Sequence, residues 1–169
     1  MYDENGQRYG FQYKNGSTTA YYYYIYNGQG DVIGILNSSG SLVAEYAYNA
    51  WGQHTAIRDG NGNPVSSSNT THIANLNPFR YRGYYYDTES YFYYLNFRYY
   101  DAKTGRFINA DEYITTGQGI NSTNMFAYCG NNPISNADES GQLFGAIIGV
   151  GLVVTGIILA CTSSSRVVK

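Results

Sequence analysis

A chain of 169 residues fits one domain, and at that length a compact fold buries roughly 68% of the surface exposed by its unfolded chain. Charged residues make up only 13% of it and the net charge is −2, so its surface is polar through Asn, Ser, Thr, Gly and Tyr, and a basic nucleic-acid-binding face is excluded. Cys129, Cys161, His54 and His72 supply neither a disulfide framework nor zinc spacing, so no metal and no cofactor are expected.

The 21 tyrosines and 20 glycines set the fold class as all-β, an antiparallel meander of aromatic strands punctuated by turns. Met1 is followed by a polar run rather than by the basic and apolar stretch of an export signal. Turn signals recur at Tyr2 to Gly6, Asn27 to Asp31, Asn37 to Gly40, Tyr48 to Gly52, Asp59 to Gly62 and Tyr100 to Gly105. Asn, Asp and Gly tolerate the positive φ of tight hairpins, so each reads as a reversal between strands. The runs between them predict strands over residues 20–26, 31–36, 41–48, 79–86, 91–100 and 106–108. Alternation puts Leu42, Ala44, Tyr46 and Tyr48 on one face, and Phe79, Tyr81 and Gly83 opposite Arg80, Arg82 and Tyr84. Such polar-faced strands have little to bury by themselves. Residues 59–77, rich in Gly, Asn, Ser and Thr, carry neither period and read as a long solvated loop.

After Asp111 the character changes. Residues 121–124 offer N-cap side chains before Met125 to Cys129, and Gly130 can close that run, which predicts a short helix. Residues 144–161 hold no charge and only Thr155 as a polar side chain, and as a helix they span about 27 Å, the thickness of a bilayer core. Starting from Phe144, small residues recur four apart at Gly145 and Gly149, Gly151 and Thr155, and Gly156 and Ala160, a spacing that lets membrane helices touch. The expectation is a C-terminal hydrophobic helix with the lipid bilayer as partner; the β-branched residues of the run leave a buried strand as the alternative. The chain thus divides into a β-sheet over 1–110, a closing segment over 111–141 and a hydrophobic tail over 142–169.

Three blocks carry a family resemblance. One pairs Gly30-Asp31-Val32-Ile33-Gly34-Ile35-Leu36 with Tyr46-Ala47-Tyr48-Asn49-Ala50-Trp51-Gly52. The next pairs Phe79-Arg80-Tyr81-Arg82-Gly83-Tyr84-Tyr85-Tyr86-Asp87 with Tyr93-Tyr94-Leu95-Asn96-Phe97-Arg98-Tyr99-Tyr100-Asp101. The last pairs Lys103-Thr104-Gly105-Arg106-Phe107-Ile108-Asn109-Ala110-Asp111 with Phe126-Ala127-Tyr128-Cys129-Gly130-Asn131-Asn132-Pro133. As an ordered set they resemble the RHS (YD-repeat) proteins, in particular their repeat-associated core domain.

The resemblance implies a large secreted or surface-associated bacterial protein whose β-ribbon spirals into a hollow shell, with a core domain closing the shell ahead of a variable C-terminal effector, often a toxin. The function it implies here is structural or delivery, with the remainder of an RHS shell, or like chains, as partners through strand edges. Two alternatives stand beside it. Residues 144–161 can act as a membrane-inserting effector. Otherwise the chain can cleave itself, since the family's paired-aspartate motif falls on Asp111 and Asp138, with Gly141 as its final glycine. Two carboxyls brought together cannot both ionise cheaply, so one holds a proton while the other activates water. Arg98 and Asp101 adjust that pair or form a structural ion pair, and the cut is expected near Leu143 and Phe144. The sequence departs from the motif at Glu112 and Glu139, which stand where it has proline, and at Ala102, which replaces the proline after Asp101.

Overall fold

In the computed structural model, which describes residues 1–111, 124–138, 140–141 and 145–146, one corner recurs five times. An Asn or Asp at position i accepts, through Oδ1, the backbone N–H groups of i+2 and i+4. Asp3 does so from Asn5 and Gln7, Asn27 from Gln29 and Asp31, Asn37 from Ser39 and Ser41, Asn49 from Trp51 and Gln53, and Asp59 from Asn61 and Asn63, all at 2.8–3.0 Å. The glycine at i+3 takes the left-handed region in every copy, at φ 75–87°. Each predicted turn of this type is present.

These corners fold a five-stranded antiparallel sheet in chain order: β1 (Gly10–Asn15), β2 (Thr18–Tyr26), β3 (Val32–Asn37), β4 (Leu42–Tyr48) and β5 (His54–Asp59). β2, β3 and β4 fall on strands predicted from the sequence, whereas β1 and β5, whose segments hold few apolar residues, do not. One face buries Tyr24, Val32, Ile35, Ala44 and Tyr46. Leu42, predicted on that face, is instead among the exposed hydrophobic residues.

The stretch 59–77 is more than a solvated loop. Pro64 bridges to Arg58, Val65 N–H donates to Ile57, and a single helical turn, α1 (Ile73–Leu76), covers the sheet with its buried Ala74. Asn77, fully buried, accepts the Tyr24 hydroxyl at 2.8 Å and donates to the Phe79 carbonyl at 2.7 Å.

The strand expected over 79–86 is also corrected. A 3-10 turn at Tyr81–Gly83, with Arg82 at φ 53°, bends it, leaving only β6 (Tyr85–Tyr86) extended. The run 91–100 likewise splits into β7 (Tyr93–Tyr94) and β8 (Tyr99–Asp101), with Asn96 at φ 62° between them. With β9 (Arg106–Phe107) they make a second antiparallel sheet in the order β6-β7-β8-β9. Its register sorts the aromatics by face. Tyr86, Tyr93, Tyr100 and Phe107 form one row, turned inward, whereas Tyr85, Tyr94 and Tyr99 form another that is 40–46% exposed.

The two sheets meet at the Asn49–Gly52 corner. Three tyrosines of the second unit donate to its carbonyls: Tyr81 to Ala50 at 2.8 Å, Tyr100 to Trp51 at 2.7 Å and Tyr93 to Gly52 at 2.9 Å. The Trp51 ring lies against Gly105. Burial pushes the Tyr93 and Tyr100 hydroxyls well above the ordinary phenol range, so they remain donors.

The helix expected over 125–129 is absent; Asn124 Oδ1 accepts from Phe126 N–H, Ala127 bridges to Arg106, and a 3-10 turn, Cys129–Asn131, follows. Backbone pairing with the sheet outcompetes the local cap. In the hydrophobic tail, Gly145 and Ala146 are not helical: β11 (Gly145–Ala146) pairs with β10 (Asn136–Ala137). Phe144, Gly149, Gly151, Thr155, Gly156 and Ala160 lie outside the described residues. Among the described residues no helix is long and apolar enough to cross a membrane.

Gly52 and Gly40 separate backbone strain from packing. Both have positive φ, but a Cβ on Gly52 would sit 2.6 Å from the Tyr81 ring, whereas one on Gly40 meets nothing within 4 Å. Gly40→Ala should destabilise by about 1–2 kcal/mol and Gly52→Ala by about 3 kcal/mol or more, as overpacking adds to strain. Equal urea midpoints for the two variants would refute the role given to the corner.

Candidate functional site

Arg98 sits in the tight connection from β7 to β8, where Leu95 N–H donates to the Arg98 carbonyl at 3.0 Å. This geometry turns its side chain inward, over the Phe107 ring with the guanidinium carbon 3.6 Å from the ring centre. Phe107 provides an apolar floor and the π face attracts the cation. From there the guanidinium gathers three segments. Nη1 pairs with Asp111 Oδ2 at 3.1 Å and donates to the Met125 carbonyl at 3.2 Å; Nη2 pairs with Asp138 Oδ2 at 3.4 Å; Nε donates to the Gly141 carbonyl.

Asp138 is held from all sides and is only 2% exposed. Its Oδ1 accepts the Gly141 N–H at 2.7 Å, closing a short loop, and its carbonyl accepts the Tyr84 hydroxyl at 2.7 Å. That hydroxyl also contacts the Tyr128 hydroxyl at 3.2 Å. Gly141 has φ 79°, and a Cβ there would come 2.8 Å from the Leu95 carbonyl oxygen. Only glycine lets the loop approach so closely.

The structure therefore brings together Arg98, Asp111, Asp138 and Gly141. Asp101 is elsewhere: it opens the turn to β9, with Oδ1 accepting Lys103 N–H at 2.8 Å and its carbonyl accepting Gly105 N–H at 2.9 Å. Each aspartate meets a different nitrogen of one guanidinium, an arrangement suited to charge-assisted fastening of loops. Among the described residues no three His, Cys, Asp or Glu side chains are grouped to hold a metal.

A second fastening escaped the sequence reading. Arg82 donates to the Gln29 carbonyl at 2.9 Å and to the Pro133 carbonyl at 2.6 Å, while Asp31 Oδ1 accepts the Arg82 N–H at 2.9 Å. Gln29 adds a bond from Nε2 to the Ile134 carbonyl at 3.2 Å. The β2–β3 corner is thereby tied to residues 133–134. Its signal in the sequence was the Arg-Gly pair at 82–83, read there as plain strand.

No family model matches the chain. Over 150 residues it is 35% identical to the tRNA3(Ser)-specific nuclease WapA of Bacillus spizizenii, a match covering 89% of this chain and 6% of that protein. The tRNA nuclease WapA of Bacillus subtilis strain 168 is also 35% identical, over 130 residues that are 77% of this chain and 5% of the relative. The chain thus spans only 5–6% of the length of these curated relatives. Among solved structures, the TcdB2-TccC3-Cdc42 crystal structure matches 73% of this chain, and 5% of that one, at a TM-score of 0.60 and 25% identity. The TcdB2-TccC3 crystal structure matches 76%, and 6% of that chain, at 0.61 and 25%. At 35% identity over 89% of its length, the chain belongs to the RHS (YD-repeat) family.

Proposed function

We propose that this chain is the closing module of an RHS-type, polymorphic-toxin-like protein of bacteria, secreted or displayed at the cell surface, which seals a β-shell around an effector. The observation that carries this reading is the Arg98 cluster. One buried guanidinium fastens residues 111, 125, 138 and 141 onto the second sheet, so the segment after the sheet is folded back against it. Two further features fit. Among the described residues β1 is an edge of the five-stranded sheet, with β2 as its strand neighbour and only its first residue, Gly10, covered by the Met1 ammonium, and an edge of this kind is a template for another strand. The outward row of Tyr85, Tyr94 and Tyr99 offers an aromatic face to a neighbouring turn of sheet. The tRNA cleavage that names the WapA relatives is a property of proteins many times longer than this chain, and the part assigned here is encapsulation and delivery.

Self-cleavage is the second reading, favoured by the placement of Asp111, a buried Asp138 and Gly141 around one side chain; because the Arg98 guanidinium favours both carboxylates charged, cleavage requires one of them to take up a proton against that pairing. It would use Asp111 and Asp138 and release the chain beyond 143–144. Intact-mass measurement during storage at mildly acidic pH decides it: a shorter product lost in Asp111→Asn and Asp138→Asn supports cleavage, and an unchanged mass sinks it.

For the closing role, Arg98→Met should destabilise by about 3–5 kcal/mol, because it strands a buried Asp138 carboxylate, and adding Asp138→Asn should recover part of the loss. Limited proteolysis of Arg98→Met should then cut within residues 124–141 before residues 18–59; the reverse order would count against the clamp. Sedimentation velocity of the wild-type chain should show a mass that rises with concentration, with intermolecular cross-links concentrated on residues 10–15. A strict monomer at every concentration would defeat the edge-pairing part of the reading.

A further inference from the structure

Arg80 is buried, 2% exposed, and no ion pair to it is formed among the described residues. Its neighbours are neutral. Nε donates to the Asn77 carbonyl at 3.3 Å, Nη2 to the Ala74 carbonyl at 3.3 Å, and Nη1 meets His54 Nε2 at 3.2 Å. The Tyr86 and Tyr46 rings lie 4.5 and 5.7 Å from its charge. Because a guanidinium only donates, His54 must offer a lone pair at Nε2 and carry its proton on Nδ1.

The position of His54 makes this contact consequential. The residue opens β5, opposite Tyr48 of β4, two residues after Gly52. Its ring packs against Tyr48 at 5.2 Å, edge-on to Tyr86 of β6 at 4.8 Å and stacked on Tyr93 of β7 at 6.3 Å. The groups facing it from these elements are thus three phenols and one guanidinium. Of the carboxylates near these rings, Asp31 is engaged by the Arg82 backbone N–H and lies 3.7 Å from Arg82 Nε, and Asp87, next to Tyr86, accepts the Ser90 hydroxyl at 2.7 Å and the Glu89 N–H at 3.0 Å. A proton on Nε2 would replace the acceptor with a donor and set two cations against each other in a buried space where neither has a counter-ion among the described residues. That arrangement cannot persist, and the seam between the sheets is where it must give.

We infer that His54 and Arg80 form an acid-sensitive latch between the two sheets: proton uptake at His54 Nε2 expels the imidazole and parts the Asn49–Gly52 corner from Tyr81, Tyr93 and Tyr100. The latch lies wholly within this chain, so the inference does not rest on the shell reading. Burial first, and Arg80 second, lower the His54 pKa to about 3, below its ordinary value of 6.5. The sign follows by linkage. Between about 3 and 6.5 the opened or unfolded form binds the proton and the closed form does not, so closure is fully supported above 6.5 and weakens as pH falls through that window. The open-to-closed ratio should rise about tenfold per pH unit there.

The test is hydrogen exchange of the full chain, corrected for intrinsic rates, across pH 7.5 to about 4, with fluorescence of Trp51, the single tryptophan, as a second probe. Residues 49–54 and 81–107 should lose protection on acidification while residues 18–37 keep it, with a parallel change at Trp51. His54→Gln retains an acceptor for Arg80 but cannot take the proton, and should hold the seam closed. Where that variant fails to fold, the wild-type His54 ring resonances decide: they should change together with seam exchange. An imidazole titrating near 6.5 with the seam intact, protection unchanged down to about pH 4, or a folded His54→Gln variant opening at the same pH would each overturn the latch.

Discussion

The fold depends on buried phenols that donate to the carbonyls of one tight corner. A tyrosine contributes a large apolar ring, but its hydroxyl must find a partner once buried. The Asn49–Gly52 corner supplies three such partners because Asn49 Oδ1 takes the N–H groups of Trp51 and Gln53, leaving the carbonyls of Ala50, Trp51 and Gly52 directed at the second sheet. Gly52, with its positive φ and no Cβ, lets the Tyr81 ring lie flat against the corner. Two sheets, each with its own buried cluster, are joined through this set of contacts. A chain with 21 tyrosines and few charges can hold together on these terms, since each ring brings its own polar anchor.

Arginine has a parallel part. Arg80, Arg82 and Arg98 are all drawn inward, and each spends its donors on backbone carbonyls: Asn77 and Ala74 for the first, Gln29 and Pro133 for the second, Met125 and Gly141 for the third. The fork geometry of guanidinium lets one side chain bind chain segments far apart in sequence. Carboxylates are added only at Arg82 and Arg98, the two that fasten the segment after the sheets. Arg80, at the seam, has none among the described residues, and a titratable neighbour, His54, supplies the neutral acceptor there.

What was legible in the sequence was the punctuation. Asx-x-x-Gly corners are local, because one side chain and one permissive glycine determine them, so their positions followed directly from residue type. The strands β2 and β3 followed from aromatic and apolar runs between turn signals, and β4 from alternation. β1 and β5 did not, since Gly10–Asn15 and His54–Asp59 are held by neighbouring strands rather than by a hydrophobic face of their own. The run 79–86 looks like an unbroken strand because its alternation is real, yet Arg82 at φ 53° breaks it to satisfy Asp31, a partner 51 residues away. The Arg98, Asp111 and Asp138 cluster came from the family resemblance, and Asp101 was joined to it only by proximity in sequence. Tyr84, Tyr128, Arg82 and Gln29 were invisible as site residues, because their partners come from segments that no local pattern relates.

These long-range fastenings have unequal mechanical standing. Arg82 and Gln29 tie residues 133–134 to a corner of the first sheet, whereas Arg98 ties residues 111, 125, 138 and 141 to the second. The segment after the sheets is therefore gripped from both sides of the seam, and it adds its own strap across it, from the β2–β3 corner to the β7–β8 connection. Parting the sheets would pull on both grips at once. The Arg82 grip rests on two backbone carbonyls and an Asp31 contact of 3.7 Å, while the Arg98 grip includes two ion pairs and a buried aspartate. Opening at the seam should consequently release the strap at residues 133–134 first and leave residues 138–141 riding with the second sheet.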